Sequence, residues 1–486
     1  MGKNGPMIVF GVMAMLAAPV VAEPSVVFEA HPEWVRLRDR TIEYARGNVQ
    51  DIEGWSPMLS AAARKDLIWQ WDSCFMALYA GLLPKGLDGL GNLDNLYRLQ
   101  SEDGYIGMAY EYATRKAKWG ERINPPLYAW VEYLYARRTG DLSRLPRAYD
   151  HAARLFRWIK EHRRRANGLY WFEDPGSSGM DNSPRGGYPA ANLAGSDLCY
   201  VDLAAQQALS ANHLAKIAVL IGRGEEAEGW RKEAAEIAEL VNRHHWCAKT
   251  GFYHDVFFSK DKRLRCCFVA SKTVAGFWPL VAGIAGPEQV AALCAHLENP
   301  ETFGARHPVP SLSRDDPNFC PDGGYWRGGV WPQTVYMVVA GLRANGRHAL
   351  AAKIAKRHLA CQAELLGTKE FDSIWECYSP DLAAPARRAE EPRRPYVKPD
   401  FVGWSGVGPA VMLVEDAMGL DIDAISKRIV WRLSEPGAQG VRDLPFNGGR
   451  LTLMARPDGK GGFSVEQEPR TGFELEIRHL ADGVKN

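Results

Sequence analysis

The stretch "QQALSANHLAKIAVLIG" (Gln206–Gly222) decides the fold, together with its successor "EEAEGWRKEAAEIAELVNRHHW" (Glu225–Trp246). The first sets Leu209, His213, Ile217 and Ile221 on one stripe, and the second does the same with Trp230, Ala234, Ile237 and Leu240. Recurrence every three to four residues places these side chains on one face of a helix. A short connection between two such helices folds them into a hairpin. The same rule read outward predicts helices near 33–46, 73–82, 89–100, 126–138, 143–165, 198–221, 225–246, 271–284, 287–297, 331–344, 348–366 and 405–418.

The connections alternate in character. Crowded segments precede every second helix: "IWQWDS" before 73, "WGERINPP" before 126, "GSSGMDNSPR" before 198, "RCCFVASK" before 271, "DGGYWRGGVW" before 331 and "YVKPDFVGWSG" before 405. Plain ones such as "GIAGPEQ" and "RANGRHA" precede the others. If alternate helices form an inner ring, all six crowded loops fall at one end, and loops on a rigid scaffold carry function. Twelve antiparallel helices also form open solenoids, but those carry a sequence repeat that is missing here. After Leu420 the texture changes to "KRIVWRL", "GVRDLPFNGGRLTLMARPDGKGGFSVEQEP" and "GFELEIRHL". Apolar residues alternate there between Asn-Gly-Gly and Asp-Gly turns, which predicts short antiparallel strands. The expected fold class is mainly α: a closed helical barrel over 23–420 and a small C-terminal antiparallel β module over 421–486.

Composition narrows the partners. The 486 residues are 46% hydrophobic and 24% charged, which excludes a disordered chain, and the formal net charge of +1 offers no attraction to nucleic acid or an anionic membrane. Sixteen Trp suit surfaces that stack on ligands as well as cores. At the start, Lys3, the apolar run "MIVFGVMAMLAA" (Met7–Ala18) and "PVVAEP", with Val20 and Ala22 placed for cleavage before Glu23, predict a signal peptide over 1–22. Twelve apolar residues are too few to span a bilayer. The mature protein is therefore expected to be exported, periplasmic or extracellular, and free of the membrane. Nine Cys, with Cys266 beside Cys267, match neither a disulfide framework nor a metal knuckle, and the twelve His are scattered, with His244–His245 read as a solvated helix end. No metal or cofactor is expected.

Three acids stand in constrained settings. Asp72 in "IWQWDSCF" follows Trp69, Gln70 and Trp71, and suits either a helix cap or a grip on paired hydroxyls between rings. Asp181 sits among small residues beside Met180; apolar surroundings would raise its pKa toward that of a general acid, while Asp, Asn and Ser also favour a surface turn. Glu376 lies between Trp375, Cys377 and Tyr378 in "DSIWECYSPD", as an exposed residue or as a working carboxylate. Two acids on loops at one end of a barrel form the inventory for glycoside hydrolysis.

Here the chain resembles a known group. "WQWDSCF", "SGMDNSPR", "GGYWRGGVWPQTVYMVVAGL", "WECYSPD" and "FVGWSGVGP", in that order between about 60 and 418, are similar to motifs of the (α/α)6-barrel glycoside hydrolases of families 63 and 37. The resemblance implies an inverting α-glycosidase for an α-glucoside or α-mannoside, with a small oligosaccharide or glycoside as its partner molecule. It casts Asp181 as general acid and Glu376 as the general base that activates water. It also implies that Trp69, Gln70, Trp71 and Asp72 hold the sugar, that Arg327 binds hydroxyls or orients a carboxylate within the Trp326–Arg327–Gly328 loop, that Trp331 packs a sugar face, and that Phe401 and Trp404 form a wall. Asn124 stands where the group commonly has Gln, with a shorter reach. The same barrel also serves lyases, epimerases and phosphorylases, and a decayed pair of acids would leave a sugar-binding protein.

Overall fold

The computed structural model describes residues 22–61, 65–186, 198–257, 267–388, 395–470 and 472–479. The expected signal peptide, apart from Ala22, lies outside the described residues, as does Cys266. Helical elements occupy all twelve expected segments: α1 (Pro32–Asn48), α2 (Gln70–Ala77), α3 (Leu90–Arg98), α4 (Tyr128–Thr139), α5 (Leu145–His162), α6 (Val201–Leu220), α7 (Gly224–His244), α8 (Trp278–Val281, entered through a 3₁₀ turn at Val274–Phe277), α9 (Pro287–Glu298), α10 (Pro332–Ala344), α11 (His348–Ala363) and α12 (Gly408–Ala417). Proline stands in the first turn of α1, α5, α9, α10 and α12. Its missing N–H costs nothing there, and its fixed φ already suits a helix. The last of these is a π-helix, whose Met418 amide donates to the Leu413 carbonyl five residues back (3.0 Å). Among the described residues no helix is long and apolar enough to cross a membrane.

Burial separates two kinds of helix. α2, α6, α10 and α12 are buried on nearly every side. By contrast, α7 buries one stripe (Ala227, Trp230, Ala234, Ile237 and Val241), and α9 buries only Val290, Leu293 and Leu297. The single stripe expected for α6 is thereby corrected. Its many alanines let α4, α5, α7 and α8 all approach, so polar Gln206 and Gln207 are as buried as Leu209. In sequence order α2 packs on α4, α4 on α6, α6 on α8, α8 on α10 and α10 on α12, while α1, α3, α5, α7 and α11 each pack against members of this series. Tyr79, just after α2, donates through its hydroxyl to the Val402 carbonyl ahead of α12 (2.8 Å), joining the two ends of the series. A second correction concerns His245, read as solvated. It is fully buried, its Nδ1 2.7 Å from the His254 carbonyl, because the chain turns back beside the end of α7 in a short ladder, Trp246–Cys247 with Phe252–Tyr253.

Besides short ladders between the helices, the N-terminal strand and the strands after α12 form two small sheets. One has the order β1–β4–β5–β6, where β1 is Ser25–Phe28, β4 Gln439–Phe446, β5 Gly449–Pro457 and β6 Phe463–Glu468, all antiparallel. The other has the order β2–β3–β7, from Leu420–Asp423, Arg428–Leu433 and Glu474–His479. The predicted turns hold at Asn447–Gly448 and around Asp458. The all-antiparallel expectation does not: β3 and β7 run parallel. Three intervening strands carry the chain back to the starting end of β3, so β7 joins without a hairpin. This assembly meets the C-terminal end of α4, where the Asn447 amide donates to Thr139 O (2.7 Å) and Arg137 pairs with Asp421 and Asp423 (2.8 and 3.1 Å).

Candidate active site

The crowded loops meet one another through named contacts. Both ends of the buried Gln70 amide are spent on the loop before α4: Nε2 donates to the Asn124 carbonyl (3.2 Å), and Oε1 accepts from the Asn124 amide (3.3 Å). Asn124 passes the link onward, its Nδ2 donating to the Ser177 carbonyl (2.9 Å) at the head of the Asp181 loop. Trp71 packs against Gly179 of that loop. Gly179 has φ of +81°, and a Cβ there would collide with the Trp71 ring, so both backbone shape and space demand glycine. The small platform around Asp181 is explained by an indole packed beneath it.

Four indoles pack together behind the site, and Trp326 and Trp331 are fully buried, so Trp331 supports its neighbours where a sugar-packing face was expected. Trp326 and Trp331 stack with centroids 3.9 Å apart at 7°, Trp71 faces Trp326 at 6.0 Å, and Trp404 completes the group at 5.6 Å from Trp331 and 6.1 Å from Trp71. Phe401 is fully buried behind Trp404 at 4.7 Å. Trp69 is half-buried and packs on Trp119, which is 37% exposed at the rim and was not singled out in the sequence. Arg327 donates through Nε to the Asn318 carbonyl (3.2 Å), and Gly328 bends the chain so that its amide meets Ser311 Oγ (3.2 Å).

Three carboxylates, Asp72, Asp181 and Glu376, share this space closely enough to feel one another's charge. Asp72 is 5% exposed, and its carboxyl is pushed up to about 7, first by burial and then by Glu376 and Asp181. Asp181 opens to solvent, yet the protein gathered around it raises its carboxyl to about 6, chiefly by desolvation and next by the charge of Glu376. Glu376 is 3% exposed, and burial drives its carboxyl upward. The Lys398 charge, the Lys398 amide (3.3 Å to Oε2) and the Tyr325 hydroxyl (3.0 Å to Oε1) oppose that rise. The Glu376 backbone is fixed from both sides: its amide donates to Lys398 O (2.9 Å), and Trp404 Nε1 donates to its carbonyl (2.8 Å). Ser405 Oγ holds the preceding carbonyl, of Trp375, at 2.6 Å.

The loop of Asp181 is anchored differently. Arg185, wholly buried, forks between Asp202 (2.6 and 2.9 Å) and Asp255 (2.8 Å to each oxygen), while its Nη1 reaches Ser178 Oγ (3.1 Å) and its guanidinium lies over the Tyr200 ring. Asp255 also accepts from the Val201 amide that opens α6 (2.9 Å). Arg185, Asn182, Tyr325, Arg388 and Lys398 were not named from the sequence. Arg185 closes the quoted "GSSGMDNSPR" and Tyr325 precedes the quoted Trp326, so a buried arginine beside an acid and an aromatic hydroxyl beside a proposed base were the signals to weigh. Arg388 places its guanidinium 4.3 Å from the Tyr325 ring centroid and bears on both Asp181 and Glu376. Among the described residues no group of three or more His, Cys, Asp or Glu is arranged to hold a metal ion.

Known proteins share this architecture. Over 422 residues, 85% of each chain, the protein is 24% identical to an uncharacterized protein of Borreliella burgdorferi. A stretch of 137 residues, 28% of this chain and 29% of the relative, is 37% identical to a mannosylglycerate hydrolase of Thermus thermophilus. The crystal structure of a GH63 mannosylglycerate hydrolase from Thermus thermophilus, in complex with glucose, aligns with a TM-score of 0.62 at 22% identity, covering 77% of this chain and 99% of that one. Residues 65–396 match the mannosylglycerate hydrolase MGH1-like glycoside hydrolase domain, and the chain belongs to that family of glycoside hydrolases.

Proposed function

We propose that this protein is an exported inverting α-glycosidase, acting on an α-mannoside or α-glucoside, with Asp181 as general acid and Glu376 as general base. The observation that carries the reading is the charge coupling of these two carboxylates, which come from separate loops into one indole-lined space. An acid that must arrive protonated benefits from desolvation and from a neighbouring anion, and both raise Asp181. A base that must arrive ionised benefits from donors on its oxygens, and Tyr325 and the Lys398 amide supply them. Asp181 protonates the leaving glycosidic oxygen, Glu376 takes a proton from the attacking water, and the anomeric centre inverts. Asp72 holds sugar hydroxyls, and the exposed edges of Trp71 and Trp404 border the sugar, backed by the fully buried Trp326 and Trp331. Gln70 and Asn124 serve by tying their loops together. The succession of helix contacts supports closure of the twelve helices into an (α/α)6 barrel.

The test is hydrolysis of α-mannosides, including mannosylglycerate, and α-glucosides, with NMR of the freshly released anomer, using wild type, Asp181→Asn and Glu376→Gln. Inverted product from one sugar class, with rates at least about 10²-fold lower in both variants, is expected. Retained configuration, or either variant near the wild-type rate, would overturn the assignment.

A further inference from the structure

The residue after the proposed acid reaches across to another loop. Asn182 accepts from the Trp326 amide on Oδ1 (2.8 Å) and donates through Nδ2 to the Gly324 carbonyl (3.1 Å). These two backbone groups flank Tyr325, so the side-chain amide pairs with the chain on either side of it as a neighbouring strand would. Tyr325 needs such support. It has φ of +61° within a run of positive φ that includes Gly323 and Gly324, a conformation that is strained for a residue with a Cβ and persists only where surroundings impose it. The rest of the frame is present: the Tyr325 amide donates to Arg387 O (3.1 Å), and its carbonyl accepts from the Gly329 amide (3.0 Å) and from Trp331 Nε1 (3.3 Å). Held this way, the phenol donates to Glu376 Oε1 at 3.0 Å.

We propose that Asn182 is a positioning residue that couples the two carboxylates: it carries the loop of Asp181 to Tyr325, and through the Tyr325 hydroxyl it sets the orientation and ionisation of Glu376. The proposal rests on the acid and base assignment above. The charged and titratable groups facing Glu376 are Tyr325, Lys398, Arg388, Asp72, Asp181 and the Cys377 thiol. Asn182 grips the chain on either side of Tyr325. Loosening it removes a donor from the ionised base, so the base then titrates at higher pH, while Asp181 keeps its Arg185 anchor.

The experiment is the pH profile of kcat/KM for Asn182→Ala, Asn182→Ser, Tyr325→Phe and the Asn182→Ala/Tyr325→Phe pair, with Asp181→Asn and Glu376→Gln alongside and thermal unfolding of each. We expect kcat/KM about 10- to 100-fold lower in Asn182→Ala, its acidic limb moved upward as in Tyr325→Phe, and no further movement in the double variant. The serine variant guards against misfolding of the alanine one and should move the limb in the same direction. Limbs left in place with a uniform loss of rate would overturn the proposal, as would fully additive effects in the double variant. Should Asp181→Asn and Glu376→Gln keep wild-type activity, the acid and base assignment itself fails. Should they be inactive while the Asn182 limbs stay put, only the coupling fails.

Discussion

The loops of Asp181 and Glu376 carry the two proposed catalytic carboxylates on opposite kinds of support. Around Glu376 the donors touch the carboxylate itself, through Tyr325 and the Lys398 amide. Around Asp181 the strong anchor lies four residues on, where Arg185 spends its fork on Asp202 and Asp255. The difference follows from the charge each group must carry. A guanidinium forked directly onto Asp181 would hold it ionised and idle as an acid; the fork of Arg185 is applied to the loop instead, and the charge of Arg388 is outweighed by desolvation and Glu376. A base has the opposite need, and direct donors oppose the rise that burial imposes on Glu376.

The largest test of this contrast removes the remote anchor. Arg185→Met should cost about 3–5 kcal/mol in urea unfolding, because it leaves Asp202 and Asp255 buried without their cation, and activity should fall with it. A loss under about 1 kcal/mol with full activity would show that the acid loop is held by something else. Next, Gly179→Ala adds a Cβ against the Trp71 ring at positive φ. It should cost about 1–3 kcal/mol and lower kcat, because the loop must lift off its indole; an unchanged kcat would mean that the platform tolerates displacement. The smallest effect concerns charge alone. Folding raises the Asp181 carboxyl to about 6, so the native state binds its proton more tightly than the unfolded chain does. The ionised form therefore penalises folding above pH 6, and the penalty fades as pH falls toward the unfolded carboxylate value. Asp181→Asn should then melt slightly above wild type at pH 8, with the gap closing by pH 4. A gap of the opposite sign at pH 8 would remove desolvation from the account.

Local pattern made much of this legible. Twelve helical segments were readable because each carries apolar spacing or begins after a crowded loop, and Asp72, Asp181 and Glu376 were conspicuous by their neighbours. Partnerships across distance were not. Arg185 finds Asp202 and Asp255 at separations of 17 and 70 positions, and Tyr325 finds Glu376 at 51, and no periodicity encodes such pairings. His245 looked solvated because its helix end is charged, and only the returning Phe252–Tyr253 strand buries it. The parallel placement of β7 was equally hidden, since alternation reports a strand's faces and says nothing of its direction.

The strand β1 binds a region made much later in synthesis. Ser25 stands opposite Arg442, and Glu29 accepts from the Ala438 amide 409 positions away. A contact of that span cannot form until nearly the whole polypeptide is available, and closing so long a loop is a late and slow event. The leading strand therefore has no partner to pair with until the last strands of the chain have been made, so this sheet is completed only at the end of synthesis.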